Sequence, residues 1–202
     1  MTEIFLPQVD FGELLNNVAR QGWAFEPDGI SIDLCREVVM ALAGLDLTRY
    51  SKHTDAVDVD TESCVLRLGQ DVLPEPIRLL HEKLTQQVKM RAPRSFPGLK
   101  CWLPNEVTIQ RFTEPSDQVS KHQDFSADRE LIVVCTVQGA GPFNLFKERT
   151  SIEPYHRCET ATGSIAMLVA TSLAGDEIDR RPVHEAGSAY CLPRTTVTFR
   201  MV

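Results

Sequence analysis

What this chain of 202 residues has little of narrows its class before any motif is read. Its six cysteines (Cys35, Cys64, Cys101, Cys135, Cys158 and Cys191) are scattered with no Cys-x-x-Cys pair, which disfavours a structural zinc knuckle. Long apolar runs are missing. The strongest, Ile165 to Ala170, is far short of the ~20 residues a helix needs to cross a bilayer, so no membrane span is expected. The opening Met1-Thr2-Glu3-Ile4-Phe5-Leu6-Pro7 lacks a cationic stretch followed by an apolar one. A secretion signal is therefore not expected, and a cytoplasmic location with reduced thiols is the default. Positive charge is also scarce. Lys and Arg number 21 against 28 Asp and Glu, a net charge of -7, whereas non-specific nucleic-acid binding depends on cations neutralising phosphates. Internal repeats and low-complexity segments are absent too.

The remaining composition, 43% apolar and 24% charged, is that of a soluble globular protein, and the length suits a single domain over 1–202. Residues 1–100 read as mainly helical. Val9, Phe11, Leu14, Leu15 and Val18 fall near helical spacing before Gly22. Ser31 can cap a second helix with Leu34, Cys35, Val38, Val39 and Leu42 on one side and Gly44 past its end. Pro74 and Pro76 open a third, in which Ile77, Leu80, Leu84 and Val88 share a face. The polar stretch 51–62 reads as a loop, as does 91–98 with its two prolines and glycine. From about residue 101 the pattern becomes short strands, at 107–112, 131–137, 143–146, 164–170, around 183–184 and 195–202. Gly139-Ala-Gly-Pro142 and Thr162-Gly163 supply turns between them. Regularly spaced strands behind a helical preface predict an α+β architecture: a jelly-roll or barrel core supported by helices.

Chemistry concentrates at His122-Gln123-Asp124, with His184 further on and Arg194 shortly after it. On a strand, residues i and i+2 point the same way, so His122 and Asp124 can reach one ion while Gln123 turns aside. Two imidazoles and one carboxylate on one face of an ion leave three positions open, the ligand set of non-haem Fe(II) oxygenases. A lone His-x-Asp is weak by itself and also fits a surface turn. Arg194, Thr196, Thr198 and Arg200 share one side of the last strand. Turned inward, two arginines need anions; turned outward, they are the solvated face of an edge strand. His53, His81 and His156 read as surface histidines and Cys135 as a buried core residue.

The ordered set Thr108-Ile-Gln-Arg-Phe112, Val119-Ser-Lys-His-Gln-Asp124, Ile132-Val-Val-Cys-Thr-Val137, Gly163-Ser-Ile-Ala-Met167, Pro182-Val-His-Glu-Ala186 and Arg194-Thr-Thr-Val-Thr-Phe-Arg200 resembles the Fe(II)/2-oxoglutarate dioxygenases, most closely the AlkB-like branch, over roughly residues 72–202. The resemblance implies a double-stranded β-helix (jelly-roll, cupin-like) core over 101–202, with 1–100 as helical support and lid. It implies His122, Asp124 and His184 as catalytic iron ligands. Arg194 would pair with the far carboxylate of 2-oxoglutarate, and Arg200 would sit near the carboxylate that chelates iron. Gln110 and Thr196 stand where the branch has asparagine, Phe112 where it has tyrosine, and Ser164 where it has aspartate. Phe112 cannot donate a hydrogen bond to the co-substrate. Asp124 excludes an iron halogenase, which carries a small residue in that position.

The implied activity uses Fe(II), 2-oxoglutarate and O2 to hydroxylate or oxidatively demethylate a substrate, releasing succinate and CO2. A small molecule or peptide fits the acidic balance better than nucleic acid. Phe112 and Phe125 are candidates for the substrate face, and the oligomeric state stays open. A base demethylase of the AlkB type is an alternative reading. Lys89, Arg91, Arg94 and Lys100 around one loop, Arg180 and Arg181 before His184, and the platforms Phe96, Trp102 and Phe125 are its candidate contacts. A non-catalytic cupin-like metal- or ligand-binding protein is a third.

Overall fold

The structure, a computed structural model, describes residues 3–54, 57–171 and 180–202. Three helices form where the apolar spacing places them: α1 (Phe11–Gln21), α2 (Ile32–Leu42) and α3 (Glu75–Arg91). Asp10 caps α1, its carboxylate accepting from Gly12 N at 2.8 Å and Glu13 N at 3.1 Å; the Ser31 hydroxyl accepts from Leu34 N at 3.3 Å. Gly22 closes α1. The strands are β1 (Trp23–Glu26), β2 (Thr48–His53), β3 (Asp58–Arg67), β4 (Glu106–Phe112), β5 (Gln118–His122), β6 (Arg129–Phe146), β7 (His156–Ala161), β8 (Ile165–Val169), β9 (Val183–Ala186) and β10 (Cys191–Met201), with a 3-10 turn at Pro97–Cys101.

All the strand pairings are antiparallel, in the order β1-β8-β6-β10-β4-β3-β5-β9, with β2 on β3, β7 on β6 and a further β6–β9 pairing. That last pairing closes the sheet into a jelly roll. The closure depends on β6, whose first half pairs with β8 and β10 and whose second half pairs with β7 and β9. The turn expected at Gly139–Pro142 is instead the passage between the two halves of one strand of 18 residues. Gly139 has φ +75°, and a Cβ there would lie 2.4 Å from the Pro193 carbonyl oxygen, so only glycine lets β10 approach.

Alternation along the central strands sorts their two faces. Val107 and Ile109, Leu131, Val133 and Cys135, Ile165, Met167 and Val169, and Val197 and Phe199 pack with Leu15, Leu34, Val38, Leu80, Leu84 and Val88 of the helices in one core. Each fully buried aliphatic side chain contributes about 1.5–3 kcal/mol, so this helix-backed layer holds the sheet in place. The even-numbered neighbours Thr108, Gln110, Phe112, Ile132, Val134, Thr196 and Thr198 face a cavity of about 320 Å³ on the other side. The helices thus lie behind the sheet, and the cavity lies inside the roll.

Several expectations change. The first hundred residues also carry β1, β2 and β3; the stretch read as a loop at 51–62 is a hairpin, apart from residues 55 and 56, which lie outside those described. Its signal was the alternation of Val57, Val59, Thr61, Ser63 and Val65 on one face, masked by the charged residues between them. β7 was not foreseen as a strand. His81 is buried, its Nε2 2.8 Å from the Pro104 carbonyl oxygen, whereas His53 and His156 are exposed as expected. Cys135 is buried in the core. Trp102 is no stacking platform: it is fully buried and its indole N–H donates to Leu131 O at 2.8 Å. Among the described residues no helix is long and apolar enough to cross a membrane.

Candidate metal centre

β5 and β9 pair so that His122 stands opposite His184, with ring centroids 4.3 Å apart. His122 is the last residue of β5, and Asp124 lies two residues beyond the strand, not on it as the spacing suggested. Nδ1 of His122 is 2.7 Å from Ser120 O, and Nδ1 of His184 is 3.1 Å from Pro182 O. A carbonyl oxygen only accepts, so each Nδ1 carries the proton and each Nε2 presents its lone pair. His184 Nε2 lies 3.6 Å from Asp124 Oδ2, too far for a hydrogen bond. One ligand atom from each of the three residues falls within 4.8 Å of the others, with His184 and Asp124 buried. They form the only such group of His, Cys, Asp and Glu among the described residues.

Burial, reinforced by the neighbouring His184, pushes the His122 pKa down to about 4, which keeps its Nε2 free of a proton at neutral pH. Burial alone would raise the Asp124 pKa. The neighbouring His184 ring and the Arg200 guanidinium outweigh it and hold the carboxyl below its usual range. Arg200 Nη2 lies 3.4 Å from Asp124 Oδ1. Two imidazole nitrogens and one carboxylate oxygen are a donor set that suits a divalent ion such as Fe(II).

The inward orientation of the last strand is settled. β10 is central, between β4 and β6, and Arg194, Thr196, Thr198 and Arg200 all line the cavity while Val197 and Phe199 enter the helix-backed core. The solvated edge-strand alternative therefore falls. Arg194 is 1% exposed, and no carboxylate pairs with it among the described residues. Its Nη2 donates to Thr160 Oγ1 at 2.9 Å, Nη1 to Gly187 O at 3.4 Å, and Nε has no partner among the described residues. Burial lowers its pKa to about 10, so it stays a cation at pH 7. The guanidinium carbon lies 5.0 Å from the centre of the Phe112 ring, a cation–π contact on a residue that is itself buried. Gly141 makes the space, since a Cβ there would meet Arg194 Nη1 at 2.9 Å.

Gln110 and Thr196 lie opposite each other in register on β4 and β10 and both face the cavity. Phe125 is 59% exposed at the mouth, with Lys52 Nζ 5.9 Å from its ring centre. Tyr50 and Lys52 of β2 and Val65 of β3 complete this rim, and reading the hairpin as a loop hid them. Thr160, which holds Arg194, had no signal beyond an alternating strand. Lys89, Arg91, Arg94, Phe96, Lys100 and Trp102, grouped by sequence as a basic and aromatic loop, do not line the cavity.

No family model and no curated relative matches the chain. Solved structures do. A Pseudomonas putida prolyl-4-hydroxylase aligns over 95% of this chain and 98% of its own, with TM-score 0.66 and 15% identity. A Trichoplax adhaerens prolyl hydroxylase, in complex with a hypoxia inducible factor peptide fragment, aligns over 95% and 88%, with TM-score 0.64 and 11% identity. An oxidoreductase of the 2OG-Fe(II) oxygenase family from Burkholderia pseudomallei covers 99% and 95%, with TM-score 0.63 and 15% identity. At these identities the likeness is one of fold: the chain has the jelly roll of 2-oxoglutarate/Fe(II) oxygenases.

Proposed function

We propose that this protein is an Fe(II)- and 2-oxoglutarate-dependent oxygenase acting as a hydroxylase. The observation that carries the reading is a pair of incomplete sites sharing one cavity. His122, Asp124 and His184 face one another with no hydrogen bond between them, and Arg194 is a buried cation with no carboxylate partner among the described residues. Buried polar groups are normally paired, and a fully buried charge is costly unless compensated. An ion at the first site and a dicarboxylic acid reaching Arg194 would compensate both.

Fe(II) bound with 2-oxoglutarate and O2 supplies the oxidation of a C–H bond, with release of succinate and CO2. His122, Asp124 and His184 would hold the metal. Arg194, held over the Phe112 ring and fixed by Thr160, would take the far carboxylate of the oxo acid through parallel N–H bonds, which lysine could not reproduce. Gln110 and Thr196 would add hydrogen bonds along its length. Arg200 would neutralise Asp124 and the carboxylate nearest the metal. Ile132, Val134, Phe143 and Leu168 keep the inner wall apolar.

We assign the substrate to the mouth framed by Tyr50, Lys52, Val65 and Phe125, and favour a small molecule or a peptide side chain. The prolyl hydroxylases of the same fold support that class. The basic loop around Arg91 lies away from the cavity, which weakens the AlkB-type reading as a base demethylase. We read residues 1–100 as support for the sheet, with the β2–β3 hairpin as the part that reaches the mouth, and the whole chain as one domain.

The test is succinate formation from 2-oxoglutarate with added Fe(II), first without a substrate and then over a panel of prolyl peptides, small molecules and methylated oligonucleotides. Turnover that depends on iron and is lost in His122→Ala is expected. Undiminished succinate in that variant refutes the assignment, and oligonucleotide-stimulated turnover would transfer it to the AlkB type. Tight 2-oxoglutarate binding with no oxygen consumption across the panel would instead support a non-catalytic binding protein.

A further inference from the structure

Asp124 presents a positional problem. It lies past the end of β5, so the strand ladder does not hold its backbone, and the β5–β9 ladder shifts register between Val119 and His122. His184, by contrast, sits within β9 and pairs with both His122 and Leu145. Two groups that must meet at one ion therefore come from segments of unequal rigidity. The 3.6 Å between Asp124 Oδ2 and His184 Nε2 is not itself a bond that sets their separation.

A reciprocal connection joins the two segments. Arg181 Nη1 donates to the backbone oxygen of Asp124 at 2.8 Å, and Gln123 Nε2 donates to the backbone oxygen of Arg181 at 2.9 Å. Residue 182, the next in the chain, supplies the carbonyl that fixes the His184 tautomer. The short stretch 181–182 thus grips the Asp124 segment on one side and orients the His184 ring on the other. Gln123, which the alternation of His122 and Asp124 turns away from the ion, has this link as its partner.

We propose that Arg181 and Gln123 are positioning residues that set the spacing of Asp124 against His184, acting on the metal through the backbone rather than touching it. This rests on the metal-centre reading above. The two bonds are unequal: the one from Arg181 is partly buried and charge-assisted, the one from Gln123 is exposed. Arg181 should therefore matter more.

The experiment is titration of the metal-free full chain with Co(II), followed by the visible absorption of the bound ion, beside thermal melting of the same metal-free proteins. Arg181→Ala should weaken Co(II) binding by about 10–100-fold, the usual scale for losing an outer partner of a metal ligand. Gln123→Ala, which changes no charge, should weaken it by about two- to tenfold. The double variant should lose less than the product of the two, because either change already breaks the reciprocal pair. Melting temperatures without metal should stay close to wild type, and Arg181→Lys should recover part of the affinity. Wild-type Co(II) binding in Arg181→Ala overturns the proposal. So does full recovery in Arg181→Lys with a silent Gln123→Ala, since that pattern means charge rather than position. A loss that tracks a fall in metal-free melting temperature does the same. If His122→Ala binds Co(II) as wild type does, the metal centre itself is misassigned, a result separate from any of these.

Discussion

Replacing Arg194 with methionine should stabilise the ligand-free protein and abolish its response to 2-oxoglutarate. The guanidinium is 1% exposed and has no carboxylate partner among the described residues, and burial takes its pKa from 12.5 to about 10. At about 1.4 kcal/mol per pKa unit, burying the charged form costs the fold about 3 kcal/mol. The sign is unambiguous at pH 7. A cation whose folded value is depressed is charged in both states below both values, so the whole cost is present there and would be relieved only above pH 10. Against this stand the contacts that methionine forfeits: the cation–π contact with Phe112 and the hydrogen bonds to Thr160 and Gly187. Together these are worth about 1–2 kcal/mol. Thr160 is left satisfied, because its hydroxyl still donates to Gly141 O at 2.7 Å. The balance is a gain of about 1–2 kcal/mol, or about 2–8 °C in melting temperature for a chain of this size. Differential scanning calorimetry with and without 2-oxoglutarate and a divalent ion reads both halves. The wild type should be stabilised by the oxo acid and the Arg194→Met variant should not. A variant that melts below wild type, or that keeps the 2-oxoglutarate shift, refutes the idea that Arg194 is an uncompensated cation held for an anionic ligand.

Two further outcomes follow from the same region. Burial raises the Asp128 pKa to about 6, partly offset by Arg200, so the folded state holds this proton more tightly than the unfolded one. Stability linked to it therefore falls as pH rises from about 4 through 6. Asp128→Asn should be about 1–2 kcal/mol more stable than wild type at pH 7.5 and equal to it near pH 4, by urea unfolding at both values. An equal difference at both pH values would refute the linkage. Gly141→Ala brings a methyl group to 2.9 Å from Arg194 Nη1 and 3.2 Å from the Ala189 backbone. The guanidinium must shift, raising the 2-oxoglutarate concentration for half-maximal succinate formation by about tenfold while the iron requirement stays put. An unchanged dependence would show that Arg194 is not held where the co-substrate needs it.

Residues with a local physical signature were readable from the chain alone. The three helices were legible because caps and apolar spacing are local, as the hydrogen bonds at Asp10 and Ser31 show. His122, Asp124, His184 and Arg194 were legible because few residue types bind metals or carboxylates, and their order along the chain is specific. The β2–β3 hairpin was not. Arg49, Lys52, Asp58, Asp60 and Glu62 make it polar, and their partners lie across the hairpin or on other segments: Arg49 Nη2 is 2.8 Å from Asp60 and 2.6 Å from Asp117, and Glu62 pairs with Arg111 of β4 at 2.6 Å. The 18-residue strand β6 was read as two because Gly139 and Pro142 signal a turn wherever they occur, and only its pairing with β9 shows a strand passing through.

By itself, the sequence determined the residue types of the site, the helical supports and the two-faced pattern of the central strands, since each depends on chemistry or on periodicity within a few residues. Tertiary structure decided which face of β10 turns inward, which side chains lie at the cavity mouth, and that Arg181 reaches back to Asp124. The last strand shows why. Arg194-Thr-Thr-Val-Thr-Phe-Arg200 alternates equally well in either orientation, and only its place between β4 and β6, with Val197 and Phe199 drawn into the helix-backed core, turns the arginines toward the cavity.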